Sequence, residues 1–395
     1  MIREKDLNLL FDKANKKICD KNCEKEESNL AKIPNSYVIK LTTECNMRCQ
    51  YCYMGNRNIE QMSENLFENV LNQILQLRKK FTIYLHGGEP CLRIDLIRLL
   101  KKWINDNNLC EDITIMLQTN GTIITDELID LIKDLNINVG ISIDGSNCYS
   151  NSERRFNDGS SSIDCVRRNL EKLLHKNIKI GIFSVLSNIN ADYLVESFKL
   201  FSELGVRSYV VNPLVLWGRA RDMRCKMASQ ELVYKTYKSL IDWINDYNNS
   251  HKNDLVTERN LHWWYQAYSY GVKGYMCNCS PCGAGIQTIA IGPMGDVFVC
   301  DQYYGDERFK IGQLFSNDLR NIINNSHYVI SKLRNLYNVE ACKKCIWRYV
   351  CSGGCSAASF YYNNEKNDGV APYCEAYKKI FEYMELKSQC SNLLL

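Results

Sequence analysis

Six short apolar segments alternate with amphipathic ones through the first half of the chain, and this alternation restricts the fold more than any other feature. The strand candidates are "SYVIKLTT", "FTIYLHGG", "DITIMLQTN", "INVGISIDG", "IKIGIFSVL" and "VRSYVVNPL". Between them lie segments of helical period, "SENLFENVLNQILQLRKK", "RIDLIRLLKKWINDN", "TDELIDLIKDL", "SIDCVRRNLEKLLHK" and "ADYLVESFKLFSEL". Apolar strands joined through helices make a parallel sheet with right-handed crossovers. Six units predict an α/β fold, a partial (β/α)6 TIM-like barrel rather than the closed eight-fold one. Chemistry in such folds gathers at the C-terminal ends of the strands.

At 395 residues the chain exceeds the usual single core, which predicts two or three structural units. Its 49 Lys and Arg against 45 Asp and Glu form no block of like charge, so nucleic acid and membrane surfaces are not expected partners. "MIREKDLNLLFDKANKKICD" lacks a signal-peptide apolar run, and no stretch approaches the roughly 18 apolar residues of a membrane span; a cytoplasmic protein is expected. The 20 cysteines are then the anomaly. Clustered in a reducing compartment, they point to metal or redox chemistry rather than disulfides.

Cys45, Cys49 and Cys52, in "TECNMRCQYCYMG", directly follow the first strand. Four thiolates would close a tetrahedral zinc or saturate an iron-sulfur cluster, whereas three leave one metal position open. Taken alone, the spacing also fits half a zinc site or three small buried side chains. With Tyr51 just before the last cysteine and a strand just upstream, the motif resembles that of the radical S-adenosylmethionine (SAM) superfamily. The resemblance implies a 4Fe-4S cluster whose open iron is chelated by the methionine moiety of SAM. One electron then breaks the carbon-sulfur bond, and a 5′-deoxyadenosyl radical takes hydrogen from substrate. "GGEP", at Gly87, Gly88, Glu89 and Pro90, resembles the family's second element, whose backbone and Glu contact the methionine amino group. "SIDG", holding Ser142 and Asp144 and followed by Arg154, resembles the segment in which a Ser and an Arg hold the SAM carboxylate. Arg155 is adjacent and competes for that role, or either arginine is a solvated loop residue. Asn120, in "LQTNG", fits a turn former or a polar group near the ribose.

A second cysteine zone runs from 277 to 374. Its order is Cys282, Gly295, Cys300, then Cys342-x2-Cys345-x5-Cys351-x3-Cys355, then Cys374. This resembles the SPASM domain, a C-terminal extension of radical SAM peptide-modifying enzymes that carries two auxiliary 4Fe-4S clusters. By that resemblance the first auxiliary cluster takes Cys277, Cys282, Cys300 and Cys355, and the second takes Cys342, Cys345, Cys351 and Cys374. Cys279 remains the alternative to Cys277. A zinc site at Cys342, Cys345, Cys351 and Cys355 is the competing explanation, and it leaves Cys282, Cys300 and Cys374 unused. Cys19, Cys23, Cys91, Cys110, Cys148, Cys165, Cys225 and Cys390 show no cluster pattern and are expected mostly as buried small hydrophobes. Asp301 follows Cys300 at a place where sulfatase-maturing relatives use an Asp to take a proton from substrate; a turn or capping Asp is the alternative.

The resemblance implies a cofactor set of three 4Fe-4S clusters and SAM, roughly twelve irons in all. It also implies a precursor peptide as substrate and a low-potential electron donor such as flavodoxin or ferredoxin. It divides the chain into an N-terminal segment 1–35, a barrel 36–255, an auxiliary-cluster domain 256–376 and a C-terminal helix 377–395. About 35 residues before the first strand are too few for an independent leader-binding module, so the barrel, that segment or a separate protein is expected to bind the leader. A ribosomal-peptide maturase that installs a thioether or carbon-carbon crosslink is the expected function. An anaerobic sulfatase-maturing enzyme forming formylglycine, a peptide dehydrogenase and a non-enzymatic zinc-binding adaptor are the alternatives. The aromatic stretch "DLVTERNLHWWYQAYSYGVKGYM" fits an interdomain core better than a peptide groove.

Overall fold

The computed structural model describes residues 33–55, 58–271, 277 and 279–390. Its six expected strands form β1 (Ser36–Thr42), β2 (Phe81–Gly87), β3 (Ile113–Thr119), β4 (Asn138–Ser142), β5 (Ile180–Leu186) and β6 (Ser208–Pro213). Each pairs in parallel with the next. Helices α1 (Glu64–Leu77), α2 (Ile94–Asp106), α3 (Asp126–Asp134), α4 (Ile163–His175) and α5 (Leu194–Glu203) make the crossovers. Ser63 and Thr125 start α1 and α3 by accepting from the backbone N–H of Leu66 and Leu128, satisfying donors the helix leaves orphaned. α1 then buries Leu66, Phe67, Val70, Leu71 and Ile74 on one face.

The period of two along β1 decides what faces what. Tyr37, Ile39 and Leu41 join the core beneath the helices, while Val38 packs on the opposite face with Ala290, Phe298 and Tyr304. Lys40 and Thr42 share the parity of Val38, and both are wholly buried. An ammonium group therefore lies inside the protein at the heart of the sheet.

The sheet extends further than the six-unit pattern predicts. β7 (Thr257–Glu258) adds in parallel to β6, and β8 (Thr288–Ile291) adds in parallel to the free edge of β1. β9 (Asp296–Phe298) and β10 (Lys310–Gln313) continue antiparallel beyond β8. The result is an open sheet of ten strands, ordered β10-β9-β8-β1-β2-β3-β4-β5-β6-β7. The cysteine-rich half of the chain thus begins as an extension of the barrel sheet, next to the strand that carries Lys40.

At the other edge, α6 (Gln230–Ser250) and α7 (Arg259–Tyr270) cover the sheet. Trp264 of α7 packs against Tyr237 of α6 and against Tyr377 and Phe381 of the C-terminal helix Cys374–Cys390, so these aromatics build a core between the two regions. Glu258 caps α7 from full burial, accepting from the N–H of Leu261 and of Val211. Burial pushes its carboxyl up to about 7 against those hydrogen bonds. A carboxyl raised on folding contributes stability below its unfolded value and loses it as pH rises through about 7. Urea denaturation of wild type and Glu258→Gln should diverge by about 3 kcal/mol between pH 5 and pH 8, with wild type showing the steeper fall.

Candidate active site

The loop after β1 carries the first three cysteines, with Cys49 buried and Cys45 and Cys52 half-buried. Backbone bonds from Arg48 N–H to Arg155 O (2.8 Å) and from Gln50 N–H to Glu153 O (2.9 Å) lace this loop to the segment after β4. Arg219 holds its far side, its guanidinium donating to Cys49 O at 2.8 Å and Gly55 O at 3.0 Å. The three sulfurs therefore sit on a braced loop at the C-terminal end of the central strand. Burial pushes Cys45 up to about 12 and raises Cys49.

GGEP lies against the same loop. Gly88 N–H donates to Thr42 O and Glu89 N–H to Glu44 O, both at 2.8 Å. Gly87 adopts φ +136°, and a Cβ on Gly87 or Gly88 would overlap the carbonyl oxygens of Thr42 and Glu44. The two glycines let this backbone reach the cysteine loop. Pro90 opens a short 3-10 helix that Glu89 caps through Cys91 N–H. The buried Glu89 carboxylate also accepts from Thr119 Oγ1 (2.7 Å) and Asn120 N–H (2.8 Å), tying the end of β2 to that of β3. Burial raises its pKa against these donors. Asn120 holds a turn, its Oδ1 accepting from Thr122, while Nδ2 donates to Asn46 Oδ1 at 2.9 Å and approaches Cys45 Sγ at 3.7 Å.

Behind Cys49 lies a buried set of Tyr51, Asp144 and Arg154. Tyr51 OH donates to Asp144 Oδ2 and accepts from Arg154 at 2.9 Å. Burial pushes Asp144 up, opposed by Arg154; Cys49, Tyr51 and Asp144 keep Arg154 charged despite its burial. Arg155 instead lies on the surface, bonded to the carbonyls of Ser152 and Gly159. Of the two arginines, only Arg154 faces the cysteine loop. Ser142, half-buried at the end of β4, accepts from Gln118 Nε2 at 2.9 Å.

Asp301 is not a cap. Its carboxylate receives Lys40 Nζ at 2.5 Å and Tyr53 OH at 3.0 Å, although 261 residues separate it from Lys40. Lys40 also donates to Tyr53 OH and lies over the rings of Tyr53 and Tyr304. Burial works to raise Asp301, but Lys40 and His86 outweigh it and hold the carboxyl below its ordinary value. Burial lowers the His86 pKa in turn, while the Asp301 carboxylate works to raise it. Lys40, Tyr53 and His86 are site residues that sequence patterns do not single out. Their signals were a cation inside an apolar strand, an aromatic directly after Cys52 and a histidine directly before GGEP.

The second cysteine zone gathers into two neighbourhoods. Burial raises Cys282 to about 12, with Cys355 and Cys279 adding to it, and raises Cys300, with Asp301, Cys277 and Cys282 nearby. Burial raises Cys351 to about 12, reinforced by Cys374 and Cys342, while Cys374 also feels Cys342 and Cys345. One cavity is lined by Cys342, Cys345, Cys351 and Cys374, with Arg334 and Trp347 beside them. Cys277 neighbours Cys300, whereas Cys279 accepts from Gln287 Nε2 at 3.4 Å. Among the described residues, no three His, Cys, Asp or Glu side chains are arranged as a single metal ion requires. The donor chemistry, four thiols around one mainly apolar cavity, fits a cubane.

The expectation of buried spare cysteines needs correction. Cys91 is buried and Cys165 half-buried, but Cys110, Cys148 and Cys225 are exposed. All three lie on connecting segments outside the strands and long helices, where no apolar neighbour covers a small side chain. Cys19, Cys23 and the side chain of Cys390 lie outside the described residues.

Residues 39–201 match the radical SAM superfamily and residues 282–346 the SPASM iron-sulfur cluster-binding domain. The chain belongs to the radical SAM superfamily and is an enzyme of the class that carries a SPASM domain. Among its relatives is the cysteine-type anaerobic sulfatase-maturating enzyme of Clostridium perfringens, 25% identical over 376 residues that cover 89% of this chain and 96% of that one. The mycofactocin maturase MftC of Mycolicibacterium smegmatis is 28% identical over 85% of this chain and 81% of its own. An uncharacterised protein of Methanocaldococcus jannaschii is 35% identical over 43% of this chain, and the match spans 59% of that protein's length. In fold, the chain superposes on anSMEcpe with bound AdoMet at a TM-score of 0.77, with 22% identity, covering 90% of this chain and 98% of that one. No described helix is long and apolar enough to cross a membrane.

Proposed function

We propose that the protein is a SAM-dependent peptide maturase that takes hydrogen from a ribosomally made precursor peptide and installs a thioether or carbon-carbon crosslink. The observation that carries this reading is the Lys40–Asp301 ion pair. It joins the strand leading into Cys45 to the residue after Cys300, and Tyr53, bonded to the same carboxylate, lies near both Cys52 and Cys300.

Cys45, Cys49 and Cys52 would hold a 4Fe-4S cluster, which would supply the one-electron chemistry that splits SAM into methionine and a 5′-deoxyadenosyl group able to take hydrogen from the peptide. GGEP backbone groups, brought close by Gly87 and Gly88, line the methionine end. Arg154, charged and fixed by Tyr51 and Asp144, supplies a guanidinium fork for the carboxylate, with Ser142 on the same strand end. Asn120 lies by Cys45, toward the nucleoside. Cys277, Cys282, Cys300 and Cys355 hold one auxiliary cluster, and Cys342, Cys345, Cys351 and Cys374 the other, three clusters in all. Asp301, kept ionised at neutral pH by Lys40, accepts a proton from substrate. The barrel ends near residue 255, the auxiliary domain runs over 256–376 and the closing helix follows. A flavodoxin or ferredoxin donates electrons in the cytoplasm, and leader recognition falls to the barrel, to the N-terminal segment or to a separate protein.

The position of Asp301 beside Cys300 also favours a second reading, a maturase that forms formylglycine from Cys or Ser. Anaerobically reconstituted protein, given dithionite and SAM, should release 5′-deoxyadenosine and methionine; release of neither overturns both readings. Fragmentation of peptides incubated with it separates them: a crosslink leaves a ring that resists backbone fragmentation, whereas formylglycine leaves an aldehyde that hydrazine traps.

A further inference from the structure

Arg334 is a buried cation, 3% exposed, and among the described residues no carboxylate lies within ion-pair distance of it and its Nε has no hydrogen-bond partner. One terminal nitrogen donates to Ser359 Oγ, and the other lies 3.6 Å from Cys342 Sγ. Its main chain belongs to the other cysteine set, since Cys282 N–H donates to Arg334 O at 3.2 Å and Arg334 N–H donates to Ser356 Oγ, next to Cys355. The guanidinium charge bears on both Cys351 and Cys355. Gly353, at φ +81°, leaves it room; a Cβ there would lie 3.0 Å from Nε.

Burying a lone guanidinium costs several kcal/mol unless a charge compensates it. Four thiolates around a cubane leave a net negative charge, which grows by one on reduction. The orphaned donor on the wall of the four-cysteine cavity therefore has a natural counterpart there.

We propose that Arg334 is the shared counter-charge of the two auxiliary clusters, and that it raises the reduction potential of the cluster held by Cys342, Cys345, Cys351 and Cys374. It rests on the reading that both cysteine sets hold clusters. Arg334 is a positioning residue: its charge favours the added electron, and its two attachments link one cluster's ligands to the other's.

The test uses the full chain with Cys45, Cys49 and Cys52 replaced by alanine, so that only auxiliary clusters contribute. Anaerobic EPR-monitored redox titration is run on this background alone and with Arg334→Gln or Arg334→Lys, alongside iron and sulfide analysis. Arg334→Gln should shift the second cluster's midpoint to more negative potential, and Arg334→Lys should stay near the background value. Loss of roughly four irons in Arg334→Gln but not in Arg334→Lys also supports a charge role. Unchanged potentials in both variants, or equal iron loss in both, overturn the proposal. A background chain holding no iron overturns the cluster assignment itself, and the Arg334 proposal with it, before either variant is read.

Discussion

Replacing Cys45, Cys49 and Cys52 together by alanine abolishes SAM cleavage and removes roughly four irons per chain, while the remaining iron stays. The expected specificity follows from where these cysteines lie. They sit on a loop whose shape depends on other groups: the backbone bonds to Arg155 and Glu153, the Arg219 guanidinium, and the buried Tyr51, Asp144 and Arg154. Cys45 and Cys52 are only half-buried, so trimming them to alanine leaves no large cavity. Far-ultraviolet circular dichroism and the thermal midpoint should therefore stay near wild type. The amount of 5′-deoxyadenosine should fall to that of an enzyme-free control. Cleavage persisting in the folded triple variant would place the reactive iron elsewhere and undo the assignment of the site.

Local patterns told most of this fold. Each strand from β1 to β6 is a run of apolar residues followed by an amphipathic helix, and periodicity over 10 to 20 residues reports such units directly. The Cys45, Cys49, Cys52 triplet stood out for the same reason, since its spacing lies within one loop, whereas the division of the later cysteines into two sets rested on the resemblance alone. The extension of the sheet was not. "TIAI" is too short to stand out, and nothing in β8 says that it pairs with β1, some 250 residues earlier. The same limit hid the partners of site residues. Tyr51 meets Asp144 because β1 and β4 run parallel and end on the same side of the sheet, and Lys40 meets Asp301 because β8 and the antiparallel β9 bring Cys300 back beside β1; no sequence window spans either contact. Asp301 was visible beside Cys300, yet its ion pair was not, so a base and a cap looked alike. Arg154 and Arg155 were likewise indistinguishable until burial separated them.

The Lys40–Asp301 pair makes opposite predictions for its two members. Lys40→Met removes the cation that holds the Asp301 carboxyl down and leaves a largely buried carboxylate with the Tyr53 hydroxyl but no cation beside it. Breaking such a pair from one side costs about 3–5 kcal/mol, read as a lower urea midpoint at pH 7. The double variant Lys40→Met/Asp301→Asn leaves no lone charge and should recover most of that loss. The depressed carboxyl gives wild type stability above the unfolded value of about 3.9, lost as pH falls through the folded one. On acidification wild type should therefore lose this contribution, whereas Lys40→Met, with burial acting on Asp301 and no Lys40 to oppose it, should not, so the gap between the two narrows as pH falls. Asp301→Asn alone keeps the hydrogen-bond geometry but cannot accept a proton. It should still cleave SAM, since it is not among the cysteine, GGEP or Arg154 groups, while modified peptide falls to background. Formation of peptide product at the wild-type rate would make Asp301 a structural partner of Lys40. The base would then have to be sought at His86, whose pKa burial lowers and whose ring lies 6.4 Å from that of Tyr53.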